Sequence, residues 1–273
     1  MFRTRVTTRG RQPLLVLGMI GVMVLAACGG AASPTPTPDA GNPDGQGDTP
    51  TPTPIISTDD TPEPGDGSDA FSAATTALDA LDSYAFRVQL KTTTTDNGTI
   101  TTSDAVYSGV VVNKPTAART LVVSELDADG NVTSGTEYVV IGADAWLRDV
   151  GSEDWVSMPA AQIGGFLEAF RPEQMFGTYF AGIAGNFASA GSESKNGVDT
   201  THYKGDESVG ALLGTLAGVA GDWHSDVWIA NDGGFLVHSE AGVEAAAGAE
   251  GGSFLIVVDI TDPNSAGPIE APA

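Results

Sequence analysis

Phe71, Ala74, Leu78 and Leu81 recur at helical spacing, and Asp69 stands where it can cap that helix. The period then drops to two. Tyr84, Phe86, Val88 and Leu90 alternate with Ala85, Arg87, Gln89 and Lys91, the pattern of a half-buried strand. Asp96-Asn97-Gly98 reads as a hairpin turn, because Asn-Gly accepts positive φ. Further strands are predicted over 105–112, 118–126 and 132–141, with Asp129-Gly130 turning between the last two. Two shorter ones follow over 144–149 and 154–158. The first half is an antiparallel meander.

The middle of the chain changes period again. Ile163, Phe166, Leu167 and Phe170 sit at i, i+3, i+4 and i+7. Pro172 restarts the chain, and Met175, Phe176, Tyr179, Phe180, Ile183 and Phe187 form a second, wide apolar stripe. After a short strand over 200–204, Leu212, Leu213, Leu216 and Val219 make a third helical patch. Strands over 222–230, 235–241 and 254–261 close the pattern, with Asn231-Asp232-Gly233-Gly234 turning between the first two. Strands, then helices, then strands predict an α+β domain with its helices gathered against one antiparallel sheet. Roughly 195 residues are ample for one such domain.

Upstream of residue 68 neither period appears. Residues 29–67 carry Ser33-Pro34-Thr35-Pro36-Thr37-Pro38, Thr49-Pro50-Thr51-Pro52-Thr53-Pro54 and Thr61-Pro62-Glu63-Pro64, with Ile55 and Ile56 as the sizeable apolar residues. Such a composition buries too little surface to offset ordering entropy, which predicts a disordered linker. Alternating proline favours extended polyproline II, so the segment can reach on the order of 100 Å.

The N-terminus holds Arg3, Arg5, Arg9 and Arg11, no acidic residue before position 28, and an almost unbroken apolar run from Leu14 to Val24. It ends in Leu25-Ala26-Ala27-Cys28, and Cys28 is the one cysteine of the chain. Charged, then apolar, then small is the order of a secretory signal. The run is short of the ~20 residues a spanning helix needs. The small-small-Cys ending resembles the lipobox of bacterial lipoproteins. That resemblance implies a diacylglycerol on the Cys28 thiol, cleavage just before it, and an extracytoplasmic protein held to the membrane by N-terminal acyl chains. The expected organisation is a signal peptide over 1–27, lipidated Cys28 and linker over 28–67, a folded domain over 68–262 and a flexible tail over 263–273.

Removing the signal changes the charge. Eight basic residues then face 35 acidic ones, a net charge of −27. Such a surface repels nucleic acid and anionic headgroups. A single cysteine leaves no intramolecular disulfide to staple the fold.

Val227-Trp228-Ile229-Ala230-Asn231-Asp232-Gly233-Gly234-Phe235-Leu236-Val237 follows the aromatic-rich helices, and Gly197-Val198-Asp199-Thr200-Thr201-His202-Tyr203 precedes it. With the lipobox, early helix and long meander, this order resembles the LolA-like superfamily, most closely its LppX/LprG-type lipoproteins, over roughly 70–261. The resemblance implies a curved, unclosed antiparallel β half-barrel, with helices covering the concave face and an apolar cavity for lipid or acyl chains. The protein would then be a carrier or sensor in the cell envelope.

The candidate cavity residues are Phe166, Phe170, Met175, Phe176, Tyr179, Phe180, Ile183, Phe187, Leu213 and Leu216. Phe176, Phe180 and Ile183 share one helix side. The stripe from 175 to 187 is wider than one sheet face needs, which points to a cavity; each residue also fits a packed core. A stalked interaction module with a filled core is the alternative. A third reading is an extracellular hydrolase built on His202, His224 or His238, with Ser225 and Asp226 beside His224. A Ser/His/Asp set is defined by geometry, and the chain has no Gly-x-Ser-x-Gly elbow. Asp127-Ala128-Asp129-Gly130-Asn131 looks like the start of a calcium loop, but a hairpin turn accounts for it. No metal or cofactor is expected, and the protein is read as a binding protein rather than an enzyme.

Overall fold

The computed structural model describes residues 67–273 apart from 97, 181–182, 218 and 244–251. Cys28, the predicted signal and the predicted linker up to residue 66 lie outside the described residues, as does Asn97 of the first predicted turn. Helix α1 spans Gly67–Ala80 and leads into β1 (Ser83–Asp96), β2 (Thr99–Val112), β3 (Ala118–Leu126), β4 (Val132–Ile141), β5 (Asp144–Asp149) and β6 (Val156–Pro159). Two short helices follow, α2 (Gly164–Ala169) and α3 (Pro172–Phe180). Then come β7 (Phe187–Lys195), β8 (Val198–Gly205), α4 (Glu207–Ala217), β9 (Trp223–Ala230), β10 (Leu236–Val243) and β11 (Gly252–Thr261).

All eleven strands form one sheet in the order β6-β5-β4-β3-β2-β1-β11-β10-β9-β8-β7. Every neighbouring pair is antiparallel. The two meanders are joined where β1 pairs β11, with Ala85 opposite Thr261 and Thr94 opposite Gly252. The ends of the sheet, β6 and β7, do not pair. The fold is therefore α+β, an open, curved antiparallel half-barrel.

Topology dictates where the helices go. The segment holding α2 and α3 must travel from one edge strand, β6, to the other, β7, and so crosses a face of the sheet. Helix α1 lies beside α3 and reaches β7, β9 and β10, while α4 packs on β8 and β9. The core lies between these helices and the inner strand residues Tyr84, Phe86, Val88, Tyr107, Leu121, Val227, Ala241, Val258 and Ile260.

Two glycines sit where neighbouring strands leave no room for a side chain. A Cβ on Gly109 would stand 2.0 Å from the Thr120 carbonyl oxygen, and one on Gly135 2.5 Å from that of Val123. Between Ser108 and Val111 the β2–β3 ladder is interrupted with its register unchanged, and the Val110 amide donates to Thr120 Oγ1 at 3.0 Å.

Several boundaries differ from those predicted. β7 was not anticipated: Phe-Ala-Ser-Ala-Gly-Ser-Glu-Ser-Lys is mostly small and polar and, apart from Phe187, has no buried side chain. Helix α3 ends at Phe180, so Ile183 falls in a turn and Phe187 opens β7. α4 ends before Val219, and α1 begins two residues ahead of Asp69. After β11, Asn264 and Ala266 are tied back to the chain. The Asp82 amide donates to Asn264 Oδ1 at 2.7 Å, and the Ala266 amide to Ser83 Oγ at 3.0 Å.

Candidate functional site

The aromatic residues singled out in the sequence fall into two clusters on the helix-covered face. In the first, Phe71 of α1 meets Phe176 at 5.3 Å, Phe187 at 4.8 Å and Tyr203 at 5.6 Å between ring centroids. Phe180 stacks on Phe176 at 5.0 Å and approaches Phe187 at 5.9 Å. Phe176 is 2% exposed and Ile183 7%, and Leu213 is buried with them. In the second cluster Phe170 stacks on Tyr107 at 4.4 Å, and Phe166 bridges Phe170 and Tyr138 at 4.8 and 5.5 Å. Phe166 is 36% exposed, and Met175 is half-buried against the core. The side chains of Tyr179 and Leu216 lie outside the described residues. The helical candidates thus pack largely on one another, with Phe166 and Met175 at the margin.

A polar network separates the two clusters. Tyr84 of β1 donates to Glu173 Oε2 at 2.9 Å, and both side chains are buried. Arg171 pairs with Glu173, Asp79 and Glu168, and Arg119 of β3 meets Glu168 at 2.6 Å. Burial, then the adjacent Glu173 carboxylate, push the Tyr84 hydroxyl far up. Burial also raises the Glu173 carboxyl, outweighing the Arg171 charge and the Tyr84 hydrogen bond that pull it down. Burial alone would lower Arg171, but the carboxylates around it, Glu173 foremost, raise it. This network fixes the α2–α3 junction to the end of α1 and to the middle of the sheet.

Beyond the packed clusters the concave face continues as an apolar band, carried by strand residues the helix-centred reading missed. Pairing registers place Trp223, Val243, Phe254 and Ile256 on β9–β11 on the inward side. Leu90, Ala105 and Val123 follow on β1–β3, then Tyr138, Leu147 and Val156 on β4–β6. Trp223, Phe254, Ile256, Leu90, Val123, Tyr138 and Leu147 are half-buried, and Val156 is 55% exposed. With strands ~4.8 Å apart, a row from β9 to β6 spans ~40 Å. The signal was present in the sequence as the period-two alternation. What it lacked was the reach of the helices, which decides which inward residues are covered.

The convex face holds all three histidines. His202 stacks on Trp228 at 4.2 Å and faces Asp226 at 2.7 Å; His238 faces Asp259 at 2.7 Å, and His224 faces Glu240 at 3.2 Å. The hydrogen bonds from His238 and Asn196 hold the Asp259 carboxyl below its usual range, against burial. Ser225 alternates to the opposite face from His224 and Asp226, beside the inward Ala241. The three neighbours in sequence therefore do not converge. The Asp127–Asn131 segment is a hairpin turn: the Asp129 and Asn131 amides both donate to Asp127 Oδ1 at 2.9 Å. A groove of about 860 Å³ lies beside α4, lined by Gly210, Gly214, Val219 and Trp223 among others.

An open antiparallel half-barrel with helices across its concave face is the class this geometry defines. Among solved structures the chain is similar to LprF from Mycobacterium bovis, at 16% identity over 77% of this chain and 99% of that one, with a TM-score of 0.44. It is similar to the lipoprotein LppX from Mycobacterium tuberculosis at 20% identity over 74% and 97%, TM-score 0.39. A LolA superfamily protein from Nitrosomonas europaea matches at 12% identity over 75% and 96%, TM-score 0.24. No family model and no curated protein matches the sequence.

Proposed function

We propose that the protein binds the acyl chains of a lipid along the concave face of its half-barrel, anchored outside the cytoplasm through acylated Cys28. The inward apolar band carries this reading. It presents half-buried Phe254, Ile256, Leu90, Val123, Tyr138 and Leu147 in a diagonal that steps two residues along the strands at β2–β3 and again at β3–β4, beside helices that already cover the adjoining surface. A soluble surface rarely leaves so many apolar side chains along one face without an occupant. Each CH₂ laid against it gains ~0.8 kcal/mol, so several methylenes bind firmly without any catalytic group. Phe166, at the margin of the packed clusters, borders the strip through Tyr138 at 5.5 Å.

A second reading is a ligand-free interaction module on a stalk. The mutual packing of Phe71, Phe176, Phe180 and Phe187 favours it, because that part of the helix layer is filled. Native mass spectrometry of the purified protein after incubation with mixed lipid micelles separates the two. Retained lipid that is lost in Ile256→Asp, with the melting curve of the variant still cooperative, supports the carrier. No retained lipid of any headgroup leaves the interaction module.

A further inference from the structure

On the reading that acyl chains occupy the concave band, we propose that the bound lipid carries an uncharged, hydroxyl-bearing headgroup rather than an anionic one. The argument rests on where the charges point. All eight basic residues after Cys28 are among the described residues. Arg119 and Arg171 stand on the concave side, and both are engaged within the protein, Arg119 by Glu168 and Arg171 by Asp79, Glu168 and Glu173. Lys114 pairs with Asp82 at 2.7 Å beyond the end of β2. Arg87, Lys91, Arg148, Lys195 and Lys204 lie on the convex side by strand alternation.

The border of the band has the opposite sign. Glu125 lies two residues along β3 from Val123 and directly opposite Ala105, where the band steps sideways, and Asp149 lies two along β5 from Leu147, both on the inward side. The Glu125 carboxylate is near enough to the inward Tyr107 that, after burial, it helps to raise that hydroxyl. Thr92 and Ser103 face each other beside Phe254, and Ser134 faces Glu125. A lipid lying in the band thus presents its head to hydroxyls and carboxylates. These groups accept hydrogen bonds from a glycerol hydroxyl and repel a phosphate.

The test holds the acyl chains constant and changes the head. The full-length protein is incubated with an equimolar mixture of dioleoylglycerol and dioleoylphosphatidylglycerol in micelles at low salt, and bound lipid is read by native mass spectrometry. The diacylglycerol complex is expected to exceed the phospholipid complex by about tenfold. In Glu125→Lys the ratio should fall towards one, and Glu125→Gln should move it the same way by less. Equal binding, or a phospholipid preference in the unmodified protein, overturns the headgroup assignment while leaving acyl binding intact. A ratio unmoved in both variants overturns its electrostatic basis. Binding of neither lipid removes this inference together with the acyl-binding reading.

Discussion

Tyr84 of β1 donates its hydroxyl hydrogen to Glu173 of α3 at 2.9 Å, joining the central strand of the sheet to the helix that crosses it. Tyr84→Phe removes the donor and leaves a buried carboxylate short of a partner. The expected loss is ~1–3 kcal/mol, seen as a lower urea midpoint with an unchanged slope. An unchanged midpoint would mean that Arg171 alone holds Glu173.

The same carboxyl predicts a pH dependence. Its value is raised in the folded protein, so the fold favours the protonated form. The stability it contributes is complete below the unfolded value, about 4.3, and is lost as pH climbs through the raised folded value. Glu173→Gln is neutral throughout. The unmodified protein should therefore lose urea resistance relative to this variant as pH rises from about 4 towards neutrality. Parallel profiles for the two proteins would refute the assignment.

The two kinds of apolar residue on the inward side should respond differently to truncation. Phe176→Ala opens a hole in a closed aromatic cluster and should cost ~3–5 kcal/mol. Ile256→Ala and Leu90→Ala remove half-buried side chains and should cost clearly less, while reducing lipid uptake more than Phe176→Ala does. Thermal melting and lipid retention, measured side by side, check the pair. Greater damage to uptake from Phe176→Ala, at equal stability, would move the site under the helices.

Gly109→Ala should be destabilising out of proportion to one methyl group. Its Cβ would meet the Thr120 carbonyl at 2.0 Å, so β2 and β3 must part or flatten there. A loss of ~1–3 kcal/mol is expected, and a neutral outcome would show that the strands separate freely.

Cys28→Ala should leave the signal uncut at that position, and once the signal is removed the protein should move from the detergent to the aqueous phase in phase partitioning. Continued partitioning with detergent after the signal is removed would count against lipid attachment.

Much of the fold is readable from residue patterns, because the strands that matter most alternate cleanly. Tyr84-Ala85-Phe86-Arg87-Val88 and Phe254–Thr261 announce the two central strands, and both form as expected. β7 is hidden because an exposed edge strand has little to bury: Ser, Ala and Gly carry no alternation. The helical stripe from Met175 to Phe187 shows how spacing misleads. Ile183 and Phe187 keep the intervals of a helix, yet one lies in a turn and the other starts a strand, and a shared aromatic cluster gathers them all the same. The candidate site was less legible. Leu90, Val123 and Ile256 look identical to core residues in sequence, since whether a helix covers them depends on the path from β6 to β7.

The pairing of β1 with β11 sets the tempo at which this molecule can become itself. Ala85 and Thr261 are neighbours in the finished sheet but stand at opposite ends of the folded region. Each meander alone ends in an unsatisfied strand, and the seam between them closes only once the last strand has been made. Contacts so distant in sequence carry a large loop-closure cost and form slowly. The two halves of the sheet are therefore joined only after β11 has been made, while the hairpins of each half need no such wait.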